Sequence, residues 1–218
     1  MLHNEAAAEK IVPRRLESTR VDGGRSLALV TSVYRPLLLG LLQSATIGHR
    51  PTRVQAMHVR KLEHHELELH RELRLRALRD SPDAFRDTYA EIVTRPSSYW
   101  KELTQAVTER GDVMFIAYEE FALGSVYGFA DRMASRVARL GGMWVDPAWR
   151  RRGIGEALLN EVIGWSRNLG HERLRLWSVV GSPGPLALYR KAGFVATGKE
   201  EPLALASTLW IAEMEMKL

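Results

Sequence analysis

Val145-Asp146-Pro147-Ala148-Trp149-Arg150-Arg151-Arg152-Gly153-Ile154-Gly155-Glu156 carries the chain from a strand, through a tight basic turn, into a helix. The first backbone N–H groups of a helix have no internal partner, and the macrodipole makes that end positive. Such an end binds phosphate when nothing blocks the approach. Gly153 and Gly155 lack a Cβ, which lets an anion come close to the backbone, and Arg150, Arg151 and Arg152 add positive charge at the mouth. The segment therefore reads as a cradle for a diphosphate. No Lys-Ser/Thr follows the glycines, so it is not a nucleoside-triphosphate loop, and a dinucleotide fingerprint would need glycine where Leu158 stands. Two glycines beside three arginines also fit a solvated basic turn, so the surrounding chain has to decide between the two.

Downstream, Gly155–Leu169 has the period of an amphipathic helix. Leu158, Leu159, Val162, Trp165 and Leu169 fall on its core side, and Gly170 is its stop. Arg173–Val179 alternates as a strand. Pro185–Ala192 reads as a short helix closed by Gly193, and Phe194–Gly198 and Thr208–Leu218 as closing strands. Upstream, Arg136–Val145 is a long strand ended by Asp146-Pro147, because proline cannot donate to a ladder. Val113–Tyr118 and Leu123–Ala130 form a hairpin about the turn Glu119–Phe121. Before them come a first strand at His58–Leu62, a helix over Glu66–Arg79 and a break at Ser81-Pro82-Asp83. A second helical piece is expected at Asp83–Val93, and a helix over Pro96–Val107 started by Ser97/Ser98. In the helix over Glu66–Arg79, Arg71, Arg74, Arg76 and Arg79 are expected to form a solvated face.

A second motif follows the crossover: Leu186-Ala187-Leu188-Tyr189-Arg190-Lys191-Ala192-Gly193-Phe194. Arg150-x-x-Gly153-x-Gly155 paired with Leu188-Tyr189-x-Lys191-x-Gly193-Phe194 resembles the GNAT N-acetyltransferase superfamily, as does the lead-in Trp144-Val145-Asp146-Pro147. The element order over 57–145 follows that family too, and the specific motifs lie within 143–194. The resemblance implies an α/β (α+β) fold with a mixed, splayed central β-sheet flanked by helices. It implies acetyl-CoA as cosubstrate, with the pantetheine arm in the splay. By this likeness the backbone of Met143, Trp144 and Val145 would pair with pantetheine as an added strand pairs with a sheet edge. The amides of Arg151, Arg152, Gly153, Ile154, Gly155 and Glu156 would hold the pyrophosphate, and Arg150 would support the turn. Tyr189 would protonate the departing thiolate as general acid.

The chain departs from the family where asparagine is common seven residues before the tyrosine and alanine four before it; here Ser182 and Pro185 stand there. Serine still hydrogen-bonds a pantetheine amide but reaches less far, and proline is tolerated in the first turn of a helix. With no cysteine and no serine–histidine constellation in view, direct transfer to an amine, without an acyl-enzyme, is favoured. A strand N–H near Trp144 or Val145 is the simplest oxyanion donor. For a general base, Glu119 and Glu120 fall in a hairpin turn, and Asp131 at a strand end is a thin candidate. The acceptor pocket is expected from Arg74–Trp100 and Phe129–Ala138 and its ligand is unread, so small molecules and protein amino groups both stay open.

The chain has 218 residues, 45% hydrophobic and 26% charged, which is an ordinary globular balance. No cysteine means no disulfide and no thiolate metal site. His58, His64, His65 and His70 lack the spacing of a metal site, and no metal is expected. Net charge is +5, of which +4 belongs to residues 1–56, and of 17 aromatics only Tyr34 lies there. Residues 1–56 are therefore expected to be a flexible basic extension, with Met57 as the candidate working start and 57–218 as the acetyltransferase domain. The near-neutral charge of 57–218 argues against a nucleic-acid partner, and no apolar run is long enough to cross a bilayer. The cytoplasm is the expected location, and a homodimer is left open. Two other readings accompany the enzyme: a catalytically silent acyl-CoA-binding sensor on the same fold, and a nucleic-acid binder using the basic tail.

Overall fold

The computed structural model of the protein describes residues 56–205 and 207–218. The expectations for the N-terminal extension lie, apart from Ala56, outside the described residues.

Seven strands form one mixed sheet in the order β1-β2-β3-β4-β5-β7-β6. They are β1 His58–Lys61, β2 Val113–Tyr118, β3 Ala122–Ala130, β4 Val137–Val145, β5 Arg173–Val179, β6 Val195–Pro202 and β7 Trp210–Lys217. Every pairing is antiparallel except β4 with β5. A parallel neighbour needs a long crossover, and helix α4, Ile154–Asn168, supplies it. Ile154, Leu158, Leu159, Val162 and Ile163 of α4 are buried and pack on one face of the sheet with Val126, Ala138, Leu140, Leu174 and Met214. The other face is covered by α1, Leu67–Asp80, and α3, Ser97–Glu109, through Leu73, Ala77 and Val107 against Met114, Ile116 and Trp144. Between them lies the five-residue helix α2, Tyr89–Val93. Helix α5, Pro183–Lys191, follows β5.

Two features shape the centre of the sheet. The β4–β5 ladder runs from Val137↔Arg173 only to Leu140↔Leu176, although β4 continues to Val145 and β5 to Val179. The strands part there, so Gly141–Val145 and Trp177–Val179 face a gap. Opposite β3, the register slips by one residue between Tyr127↔Gly141 and Ser125↔Trp144. The extra residue is a bulge at Gly142, whose φ of +58° lies in the left-handed region. It flips the parity of the strand. Ala138 and Leu140 face α4 before the bulge and Met143 and Val145 after it, leaving Trp144 on the α1 side.

Several expectations are corrected. The helical piece expected from Asp83 starts only at Tyr89. Pro82–Ala84 is a short 3-10 turn, and Thr88 caps α2 in a reciprocal box with Glu91. In α3, Pro96 is the N-cap and Ser97 already helical, with no side-chain cap bond. Leu169 is 57% exposed, because the helix ends at Asn168 before the apolar stripe reaches it. The arginines of α1 are not all solvated: Arg74 pairs with Asp87 and Arg76 with Asp146, both at 2.7 Å, while Arg79 is exposed as expected. The long stems of Arg74 and Arg76 lie along apolar surface while each head finds an acceptor.

Candidate active site

Asp146 closes β4 and starts the turn, its side chain accepting from Ala148 N at 2.9 Å to set a 3-10 turn over Pro147–Trp149. Arg150 Nε then reaches back to the Val145 carbonyl at 2.9 Å, and its guanidinium also bonds Asp80 at the end of α1. Asp80 accepts as well from Trp144 Nε1 at 2.9 Å and Ser81 Oγ at 2.7 Å. Burial alone would raise the Asp80 pKa, but these donors outweigh it and hold the carboxyl below its ordinary value. The cleft strand, the basic turn and α1 are thus joined at one carboxylate.

Within the turn Arg151 takes a φ of +65° and Gly153 one of +82°. A non-glycine residue in this region is strained, and such strain clusters at functional turns. Gly153 is the N-cap of α4 and supplies no side-chain cap, so the first-turn amides have no side chain to satisfy them. Among the described residues no acid pairs with Arg151 or Arg152; the Arg152 guanidinium lies 4.6 Å over the Trp149 ring. An uncapped helix start beside two free cations suits a pyrophosphate. The glycines serve different ends. A Cβ on Gly153 would meet nothing within 4 Å, so the left-handed φ is what demands glycine there. A Cβ on Gly155 would sit 3.3 Å from Leu188 Cδ2, so that position serves the approach of α5.

Met143, Trp144 and Val145 occupy the part of β4 that has left β5. Ser182 is the N-cap of α5, its hydroxyl making no cap bond. Tyr189, buried on α5, packs in the same cluster as Met143, Val145 and Leu188. Burial pushes the Tyr189 phenol up to about 12, and its hydroxyl bonds no protein group among the described residues. Glu156, in the first turn of α4, holds the Lys191 ammonium of α5 at 2.8 Å in an exposed ion pair between the two helices.

Asp131 does not offer a free base. Its carboxylate takes Arg139 Nε at 2.7 Å and Met133 N at 2.9 Å; burial opposes these contacts but is outweighed, and the pKa is lowered. Glu119 and Glu120 sit in the β2–β3 turn as expected. Among the described residues no group of three or more His, Asp or Glu could hold a metal ion, and no helix is long and apolar enough to cross a membrane. A surface cavity of about 520 Å³, lined by Val107, Asp112, Glu161 and Trp165, lies at the C-terminal end of α4, away from the glycine turn.

Residues 75–194 match the model of the acetyltransferase (GNAT) family. The chain therefore belongs to the GNAT family of acetyltransferases. Among curated relatives, it is 33% identical over 107 residues to the aminoglycoside N(6')-acetyltransferase type 1 of Stenotrophomonas maltophilia, covering 44% of this chain and 69% of that protein. It is 38% identical over 58 residues to the N-acetyltransferase MJ1207 of Methanocaldococcus jannaschii, whose own function is uncharacterised. That match covers 27% of this chain and about a quarter (26%) of the archaeal protein. Among solved structures, a GNAT-family acetyltransferase from Streptococcus pneumoniae superposes with a TM-score of 0.64 at 19% identity, over 74% of this chain and 99% of that one. The yncA chain of Salmonella typhimurium, solved with its cofactor acetyl-CoA, gives 0.63 at 17% identity, over 74% and 94%. These two share the fold.

Proposed function

We propose that residues 57–218 form an N-acetyltransferase that passes the acetyl group of acetyl-CoA directly to a primary amine of a small molecule or protein. The observation that carries this is the parting of β4 from β5, with the uncapped start of α4 and Tyr189 of α5 beside it. In this reading the amides of Arg151–Glu156 and the free charges of Arg151 and Arg152 hold the pyrophosphate. The open edge of Met143–Val145 pairs with pantetheine, and the Ser182 hydroxyl bonds one of its amides. Acetyl-CoA supplies the activated acyl group.

The residues of this chain then orient and move protons. A β4 amide polarises the thioester carbonyl, and the Tyr189 hydroxyl donates its proton to the departing thiolate sulfur. The acceptor attacks as the neutral amine and sheds its extra proton to water, since Asp131 is committed to Arg139. The chain contains no cysteine to carry an acyl group between the two substrates.

The test is acetyl-CoA consumption over a panel of amines and peptides, run with Tyr189→Phe beside the parent. Turnover of at least one amine, lost in the variant while coenzyme A still binds, supports the reading. Binding of coenzyme A with no turnover across the panel identifies a silent sensor instead.

A further inference from the structure

His70 lies on α1, wholly buried, and both ring nitrogens are engaged: Nδ1 is 2.9 Å from Thr104 Oγ1 of α3, and Nε2 is 2.8 Å from the Tyr127 hydroxyl of β3. A neutral imidazole has one donor and one acceptor nitrogen, so this pair of hydroxyls satisfies it fully. The imidazole is kept neutral by its burial first and by nearby Arg74 second. A buried polar chain of this kind fixes geometry, because any shift leaves a buried polar group without its partner.

What the chain fixes is the Tyr127 ring. Tyr127 sits opposite Gly141, next to the bulge. A Cβ built on Gly142 would fall 2.5 Å from Tyr127 Cδ2 and 2.7 Å from Cε2, so the ring fills the space that any other residue at 142 would need. The ring is seated on the backbone of the bulge, and the bulge resets the alternation after it: Asp146 N bonds Leu123 O of β3 at 2.8 Å, which turns the preceding Val145 amide towards the gap.

We propose that Thr104, His70 and Tyr127 form a clamp that holds the Gly142 bulge in register and so aims the β4 amide at the thioester carbonyl of the bound acyl group. His70 and Tyr127 are positioning residues: they act through the Gly142 backbone and do not touch the substrate. The proposal rests on the reading of the β4 edge as the acyl site. It adds a determinant of kcat that lies on the opposite face of the sheet from Tyr189.

The experiment uses the full chain, Tyr127→Leu and Tyr127→Phe. It measures coenzyme A affinity by calorimetry, kcat with a working amine, and the carbonyl stretch of ¹³C-acetyl-CoA bound to each protein. Tyr127→Leu removes the ring from Gly142. It should lower kcat about tenfold or more, in line with a misaimed oxyanion donor, leave the Kd for coenzyme A within about twofold, and move the bound carbonyl stretch towards its value in water. Tyr127→Phe keeps the ring but frees it from His70; it is conservative enough to fold, and a smaller change in the same direction is expected. Wild-type kcat and carbonyl frequency in both variants overturn the clamp while leaving the acyl site intact. Failure of the parent chain to bind coenzyme A overturns the proposed function, and the clamp with it.

Discussion

Phe194 N donates to the Tyr189 carbonyl at 3.0 Å while the two rings stand 5.8 Å apart. With Gly193 N bonded to the Arg190 carbonyl at 3.0 Å and Gly193 at a φ of +98°, this is a Schellman closure of α5, its apolar contact made by the tyrosine itself. The Gly-Phe pair that ends the motif therefore locks the residue assigned as general acid. Phe194→Ala should cost about 3–5 kcal/mol of stability, the usual range for a buried phenylalanine. Phe194→Leu, milder in volume, should still fold and lower kcat with little change in coenzyme A affinity. Chemical denaturation and single-turnover assays check the two parts.

Tyr189→Phe should lower kcat by about 10²–10⁴-fold, as loss of a general acid does. Stability at neutral pH should barely change, because the hydroxyl has no protein partner among the described residues. Burial raises the phenol to about 12 from its ordinary 10, so the protonated form persists through the working range. Its contribution to stability is complete below about pH 10 and is lost as pH climbs towards 12. Alkaline unfolding of Tyr189→Phe should accordingly be shallower in that window.

Gly153→Ala places a side chain at a φ of +82° and should cost about 1–2 kcal/mol in backbone strain. The same strain opens the helix start, so coenzyme A affinity should fall. Gly155→Ala meets only the tip of Leu188 at 3.3 Å and should weaken binding less. Equal losses in paired titrations would contradict the roles given to the two glycines.

His70 predicts an acid limb. Burial lowers its pKa to about 4 from 6.5, so the folded state keeps the ring neutral. That stability is present above pH 6.5 and is lost as pH falls towards 4, amounting to about 3 kcal/mol in all. Urea unfolding measured from pH 7 to 4 should show this slope, and His70→Leu should flatten it.

The crossover and its two motifs were readable because they are local. The period of α4, the strand at Arg173–Val179 and the turns at Gly153, Gly170 and Gly193 each follow from neighbours in sequence. What escaped depends on partners far along the chain. His70 and Tyr127 are 57 positions apart, and Asp80 receives Trp144 from 64 positions away. Neither pairing has a local signature. Arg74 and Arg76 looked like a solvated face because their period points away from the leucines, yet Asp87 and Asp146 meet them there. The bulge did leave a mark: the pair Gly141-Gly142 inside a strand pattern is a signal for one. Asp131, a thin candidate base from its place at a strand end, is held by Arg139 across a hairpin whose register is set by the sheet.

Everything proposed for catalysis depends on the start of α4 holding the two linked phosphates of coenzyme A. The parent chain and Gly153→Ala, which deforms that helix start, are each titrated calorimetrically with coenzyme A and with pantetheine, which lacks the pyrophosphate and the adenosine 3′-phosphate. One coenzyme A is expected per parent chain, with an affinity for pantetheine at least about a hundredfold lower, the scale of several charge-assisted hydrogen bonds lost together, and that gap should narrow in Gly153→Ala. No heat with coenzyme A, or equal affinity for the two, would contradict it.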